Sequence, residues 1–261
     1  MNTDISLPTV SVIMPCLNEE DNVCGSIMDV LQEFDLKQLV GEIIVVNDGS
    51  TDNSVALIEA ISDHRVTLLN KEENEGIGKA FSDGIRHAKN KYVVMIPADN
   101  ENAASEVFAY YYLVTDVDLV VPFVHNSEVR RLSRRLISAL YRFMINISFG
   151  TSLNYTNGTV IYNRHALNTV ELRSSGFFYQ TELLIKLLRC GFLYAEVPQV
   201  LGNRSGGNSK ALTMGSLLSL FASFIRLVID VHILRIEGMR PKSNNLPAET
   251  ATYKRYSRLR N

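Results

Sequence analysis

Short apolar runs alternate with helix-patterned stretches through the first hundred residues, and this alternation restricts the architectures open to the chain. Residues 10–14 form a β-rich run and residues 20–34 a helix-like segment. Residues 42–46 are a second run, ending in the turn Asp48-Gly49-Ser50-Thr51, where Ser50 or Thr51 is placed to cap a helix reaching residue 61. Residues 65–69 form a third run, residues 76–89 a helix, and residues 92–96 a fourth run. Strands with near-continuous apolar content, separated by helices, imply a mostly parallel α/β sheet covered on both faces. Ligands of such sheets bind beyond the carboxyl ends of the strands. The polar motifs that follow each run are therefore the places to look for chemistry.

The second half has a different rhythm. A strand over 119–123 leads into a basic amphipathic helix over 131–149; a strand over 159–162, a helix over 181–188 and a strand over 193–197 follow. Residues 202–210 are polar and Gly-rich, residues 211–225 carry no charge, and that helix is expected to continue to about 235. From Pro241 the chain is polar and reads as a loose tail. The expected division is 1–210 for the catalytic domain, 211–238 for an apolar helix and 239–261 for a basic, flexible tail. No internal repeat is present. A length of 261 residues suffices for one sizeable α/β core.

Net charge is −2, so nothing marks a nucleic-acid binder. Basic residues cluster at Arg130, Arg131, Arg134, Arg135 and Arg142, and again at Lys254, Arg255, Arg258 and Arg260. Cys16, Cys24 and Cys190 have no metal-type spacing and fit reduced thiols in a cytosolic protein. The first apolar run is broken by Pro15 and too short for a signal core, and no stretch reaches eighteen clean apolar residues. The expectation is a cytoplasmic chain with no signal peptide and no membrane span. Residues 211–235 must still bury apolar surface: against a membrane interface, against a second copy in a homo-oligomer, or on their own domain.

Four motifs follow the runs. Pro15-Cys16-Leu17-Asn18-Glu19 ends the first, and Pro15 is expected to stop its ladder. Asp48 ends the second, where a carboxylate can accept from a base or a ribose hydroxyl. Asn74-Glu75-Gly76-Ile77-Gly78-Lys79-Ala80 follows the third, with two glycines but no full dinucleotide fingerprint. Ile96-Pro97-Ala98-Asp99-Asn100-Glu101 follows the fourth. There Asp99 and Glu101 are hard oxygen ligands one residue apart, suited to a divalent cation that also holds phosphate oxygens.

Together and in this order, these motifs resemble the family-two glycosyltransferases, and within them the polyprenyl-phosphate sugar transferases. The resemblance covers roughly residues 9–236 and includes Glu182-Leu183-Leu184, Glu196-Val197-Pro198, Asn157-Gly158 and Arg204-Ser205-Gly206-Gly207-Asn208-Ser209-Lys210. It implies a GT-A fold, a Rossmann-like mostly parallel sheet with helices on both faces. It also implies an inverting transfer from a nucleotide diphosphate-sugar, Mg²⁺ or Mn²⁺ as cofactor, and a polyprenyl phosphate acceptor at the inner membrane face. Such chemistry belongs to the synthesis of cell-envelope polysaccharides or glycoconjugates. By resemblance, Pro15, Leu17, Glu19, Asp48 and Ala98 line the nucleotide, and Asp99 with Glu101 holds the metal. Arg134 and Ser138 hold the acceptor phosphate, and Arg204 and Lys210 clamp phosphates.

The chain departs from the pattern at Pro97 and Asn47, where acids stand in the family, and at Pro122-Phe123-Val124, where a Gly-Ser-Arg segment is expected. Two alternatives stay open. One is transfer to a glycan or other hydroxyl acceptor, for which Glu182 is the candidate general base. The other is a non-catalytic subunit that binds nucleotide-sugar.

Overall fold

The computed structural model describes residues 7–126, 132–200, 214–233 and 246–260. Seven strands form one sheet: β1 (Val10–Cys16), β2 (Gly41–Asp48), β3 (Val66–Lys71), β4 (Tyr92–Met95), β5 (Leu119–Val124), β6 (Ile161–Asn163) and β7 (Tyr194–Gln199). Their order is β3-β2-β1-β4-β6-β5-β7. All pairings are parallel except those of β6, which runs antiparallel to β4 and β5. The expected mostly parallel α/β sheet is therefore present, with one reversed strand in its interior.

The helices are α1 (Val23–Leu36), α2 (Ser54–Glu59), α3 (Ile77–His87), α4 (Ala104–Phe108), α5 (Leu132–Phe149), α6 (Arg164–Leu167), α7 (Tyr179–Arg189), α8 (Met214–Val228) and α9 (Ala251–Arg260). A 3₁₀ turn, Tyr111–Thr115, precedes β5, and a π turn, Ile229–Ile233, prolongs α8. Alternate strand residues feed two cores. Val10, Val12, Met14 and Cys16 pack against α1 and α4, whereas Ile13, Val93, Met95, Leu119 and Val121 pack against α3, α5 and α7. Period-two alternation in a strand buried on both sides produces this split.

Three expectations about elements are corrected. Pro15 does not end β1, which runs to Cys16 with Pro15 opposite Val46. Its carbonyl accepts from Ala98 N at 3.1 Å, so its missing N–H falls on the side of β4, already ended at Met95. Neither Ser50 nor Thr51 caps α2; Asp52 Oδ1 accepts from Ser54 N at 3.0 Å instead. Beyond residue 245 the chain is not a loose tail. Asp118, at the foot of β5, accepts from Ala251 N at 2.7 Å, from Thr252 N at 3.0 Å and from the Thr252 hydroxyl. A buried carboxylate at a helix N-terminus satisfies orphan N–H groups and the helix dipole together, which fixes α9 to the sheet.

Candidate active site

At the carboxyl ends of β1, β2 and β4 the chain turns through left-handed residues: Asn18 (φ 55°), Gly49 (φ 80°) and Asn100 (φ 56°). Gly76 (φ 95°), after β3, belongs to the same edge. The tolerance of Asn and Gly for this region explains those residue types at that edge.

The β1–α1 and β2–α2 loops are stitched together. Ser50 Oγ accepts from Asn18 N and Ser54 Oγ from Glu19 N, both at 2.9 Å, and Asn18 Oδ1 accepts from Thr51 N at 2.8 Å. Asp52 Oδ2 accepts from Glu20 N at 3.1 Å, and Glu20 returns a carboxylate oxygen to Asn53 N at 2.9 Å. The Ser-Thr-Asp-Asn-Ser run therefore works as a clasp between loops. Pro15, Leu17 and Glu19 stand half-buried on the rim that the clasp fixes.

Asp48 is buried, and its carboxylate is already engaged. Oδ1 accepts from Lys71 Nζ at 2.8 Å and Glu75 N at 3.1 Å, and Oδ2 from Gly76 N at 2.9 Å. Asp48 thus shapes the Asn74–Gly76 turn. Lys71 also meets Glu75 at 2.7 Å and Asp83 at 3.6 Å. Burial alone lowers the Lys71 pKa, but its hydrogen bonds to Asp48 and Glu75 outweigh burial and the net shift is upward. Asn47 suits its place as an amide: it donates to Asn70 Oδ1 at 2.7 Å and accepts from Ser50 N at 3.1 Å. A carboxylate could make only the second of these bonds.

Ala98 is fully buried; its N–H donates to Pro15 O and its carbonyl accepts from Ser26 Oγ at 3.0 Å. It is a strut behind Asp99, with its own polar groups used inside the protein. Asp99 is half-buried, and its Oδ1 accepts from Glu101 N at 3.1 Å. Among the described residues no group of three or more His, Cys, Asp or Glu side chains could hold a metal ion. Two carboxylates at a strand end fit a cation that takes its other ligands from diphosphate and water.

Glu182 is not placed as a free base. It is 3 % exposed, and its carboxylate accepts from Arg173 N at 3.0 Å, Ser174 N at 2.8 Å and Lys186 Nζ at 2.5 Å. Helix α7 is buried all round from Tyr179 to Leu187, so Glu182 and Lys186 must satisfy each other. Through Arg173 and Ser174, Glu182 fixes a strap over residues 171–176. The strap closes on the Gly76 turn: Gly78 N donates to Ser175 O at 2.7 Å, and a Cβ on Gly78 would lie 2.4 Å from Ser174 O. Those glycines allow two backbones to meet. Asp230, buried in the π turn, holds the strap from behind through Arg173 at 3.4 Å.

Arg134 and Ser138 lie on α5, Arg134 exposed and Ser138 partly so. They share the helix face of Tyr141, Ile145 and Phe149, at helical spacings of three and four. Tyr141 Oη meets Thr181 Oγ1 at 2.8 Å, Thr181 meets Asn157 Oδ1 at 3.4 Å, and Gln180 donates to Gly158 O at 3.0 Å. Burial raises the Tyr141 pKa to about 12 against opposing hydrogen bonds from Thr181 and Thr156, so the phenol stays protonated. A Cβ on Gly158 would lie 2.7 Å from Pro122 Cγ, so Pro122 and Gly158 fit as a pair. Arg204 and Lys210 fall outside the described residues. Lys71, Arg173, Tyr141 and Thr181 were missed in the sequence; none sits in a motif, and only folding brings them to this edge.

A sheet of this order, with its polar loops gathered beyond β1, β2 and β4, is the GT-A fold of nucleotide-sugar transferases. The chain belongs to glycosyl transferase family 2, whose sequence model matches residues 11–171. Among curated relatives, poly-beta-1,6-N-acetyl-D-glucosamine synthase of Staphylococcus aureus is 34% identical over 100 residues, 38% of this chain and 23% of that protein. The same enzyme of Staphylococcus epidermidis is 32% identical over 108 residues, 41% of this chain and 25% of that protein. The matched stretch is thus about a quarter of those relatives' length. Among solved structures, mannosyl-3-phosphoglycerate synthase from Rubrobacter xylanophilus superposes with a TM-score of 0.68 at 17% identity, covering 92% of this chain and 79% of that one. Glucosyl-3-phosphoglycerate synthase from Mycobacterium tuberculosis, in complex with Mn²⁺, UDP and phosphoglyceric acid, gives a TM-score of 0.61 at 22% identity, covering 85% and 78%. At such identities the likeness is one of fold.

Proposed function

We propose that this chain transfers a sugar, with inversion, from a nucleotide diphosphate-sugar to a polyprenyl phosphate at a membrane surface. Family membership supports the donor class. The observation that carries the acceptor is the division of α5 into two opposite faces. Arg134 and Ser138 share the face that meets Thr181 through Tyr141, while Leu132, Leu136, Leu140, Phe143 and Ile147 form an exposed apolar stripe on the reverse. An acceptor with a phosphate head and a hydrocarbon tail matches that pairing of surfaces.

In the reaction, the bond from the anomeric carbon to the diphosphate oxygen breaks as a phosphate oxygen of the acceptor bonds to the opposite face of that carbon. The leaving electron pair stays on the nucleoside diphosphate. A divalent cation, when bound, neutralises charge that develops on the diphosphate. Asp99 and Glu101 would hold it, beside a rim of Pro15, Leu17 and Glu19 that lines the nucleotide. Asp48 contributes by fixing the Gly76 turn. A phosphate acceptor is already an anion and needs no general base; Arg134, with Arg204 and Lys210, offsets its charge. A hydroxyl acceptor does need a base, and Glu182 has committed its carboxylate to Arg173, Ser174 and Lys186.

The test incubates the purified chain with a panel of nucleotide sugars, Mn²⁺ and a short-chain polyprenyl phosphate in detergent. The expected product is a glycolipid. Arg134→Ala should raise the acceptor KM at least tenfold with nucleotide affinity intact, the scale of one charge-assisted contact. Transfer to a saccharide instead would overturn the lipid acceptor. Nucleotide binding without any turnover would favour the non-catalytic subunit.

A further inference from the structure

Helices α5 and α8 leave much apolar surface uncovered. Of the twenty-one exposed large apolar side chains in the described residues, eleven lie on α5, α8 and the π turn. On α5, Leu132, Leu136, Leu140, Phe143 and Ile147 are 62–69 % exposed and recur every three or four residues. On α8 and its π turn, Leu218, Phe221, Ile225, Ile229 and Ile233 repeat the pattern at 38–71 %. The inner sides of both helices are used: Phe149 meets Phe224 edge-on at 6.1 Å, His232 stacks on Phe149 at 6.0 Å, and His232 Nε2 lies 2.7 Å from Ser148 O. The two helices are thus joined to each other and to the sheet, and their apolar stripes are left on the outside.

The charge on this surface has one sign. Arg135, Arg142 and Arg226 are exposed, and the sequence of α5 contains no Asp or Glu. The only acid of α8 and its π turn, Asp230, is buried against Arg173. Arg135 and Arg142, seven residues apart, line one shoulder of the α5 stripe, and Arg226 flanks that of α8.

We propose that the outer faces of α5 and α8 together form a docking surface for an anionic lipid bilayer. The apolar stripes enter the acyl boundary, and the arginines meet headgroup phosphates. A second copy of the chain is the poorer occupant. A self-complementary interface through this face would bring arginine rims together with no carboxylate on either helix to pair them. No helix of the described residues is long and apolar enough to cross a membrane, so the contact is interfacial. The inference rests on the lipid reading above only in placing the acceptor in the same membrane; the contact itself needs no substrate.

The test is flotation of the full chain, without substrates, on vesicles of phosphatidylcholine with or without phosphatidylglycerol. Binding is expected on the anionic vesicles, at least tenfold weaker on the neutral ones, and reduced by salt. The pairs Leu140→Gln with Phe143→Gln, and Phe221→Gln with Ile225→Gln, should each lower partitioning at least tenfold, with melting temperature and Mn²⁺-dependent nucleotide binding unchanged. Arg135→Gln with Arg226→Gln should lower it about thirtyfold on anionic vesicles alone, at about fivefold for each basic residue near the surface. Absence of flotation, or flotation indifferent to these substitutions, would overturn the proposal. So would a dimer in sedimentation equilibrium that the glutamine pairs split, because a second copy would then cover the face. Glycolipid formation in detergent is a separate measurement, so lipid docking and lipid acceptor can fail independently.

Discussion

At the scale of single residues, the site separates side chains that hold the protein from side chains left to act. Asp48 and Glu182 are buried carboxylates with three donors each, and Glu182 is the sharper case. Its partner Lys186 is equally buried, with 4 % side-chain exposure on both. Glu182→Gln should therefore act first on stability, because it strands a buried ammonium; breaking such a pair costs about 3–5 kcal/mol. The denaturation midpoint should fall, and Lys186→Met added to it should recover part of the loss. Turnover lost with no change in stability would return Glu182 to the role of base. Asp99 is the converse, half-buried with one oxygen accepting from the local Glu101 N–H. Asp99→Asn should keep the fold and lower Mn²⁺-dependent turnover about a hundredfold or more, with metal-free nucleotide binding changed far less. Wild-type turnover at limiting Mn²⁺ would exclude Asp99 as a ligand. Thiol chemistry follows burial too. Burial pushes Cys16 and Cys190 up to about 11, above the ordinary value, so both stay protonated through neutral pH. Any stability these thiols lend is full below pH ~9 and lost as pH rises through about 11. At pH ~8 a thiol reagent should label the half-buried Cys24 well before either of them.

At the scale of elements, the strap 171–176 and the helix α9 are the parts whose importance motif content conceals. The strap reaches the Gly76 turn, Glu182 of α7 and Asp230 behind α8, so it ties the loop edge beyond β3 to α7 and to the π turn that prolongs α8. Helix α9 works at the other end of the sheet. Deleting residues 246–261 would leave Asp118, 1 % exposed, without the three donors it takes from residues 251 and 252. Each hydrogen bond to a charged group is worth ~1.5–3 kcal/mol, so the melting temperature should fall on the order of 10 °C. An unchanged melting temperature in differential scanning calorimetry would show that α9 contributes little.

At the scale of the whole molecule, donor recognition should appear as ligand-linked stability. A ligand that binds only the folded state stabilises it by about 2.7 kcal/mol at a hundred times its Kd, a rise of about 5–10 °C in a chain of this size. A thermal-shift panel of UDP-, GDP- and dTDP-sugars with and without Mn²⁺ should show one base favoured and the rise enlarged by the metal. No shift with any of them would count against a nucleotide-sugar donor. The sequence by itself determined the alternation that builds a parallel sheet, and with it the edge at which Glu19, Asp48, Asp99 and Glu101 emerge. Those are consequences of local periodicity and of turn residues such as Asn18, Gly49 and Asn100, so they are legible residue by residue. The tertiary structure alone decided what each carboxylate touches. The partners of Asp48 lie 23 to 28 residues away, and those that pin the strap to α8 lie 57 apart. It also decided that the polar end of the chain folds onto Asp118, 133 residues distant. No window of sequence contains such pairs, because burial and hydrogen-bond satisfaction depend on which elements the fold brings together.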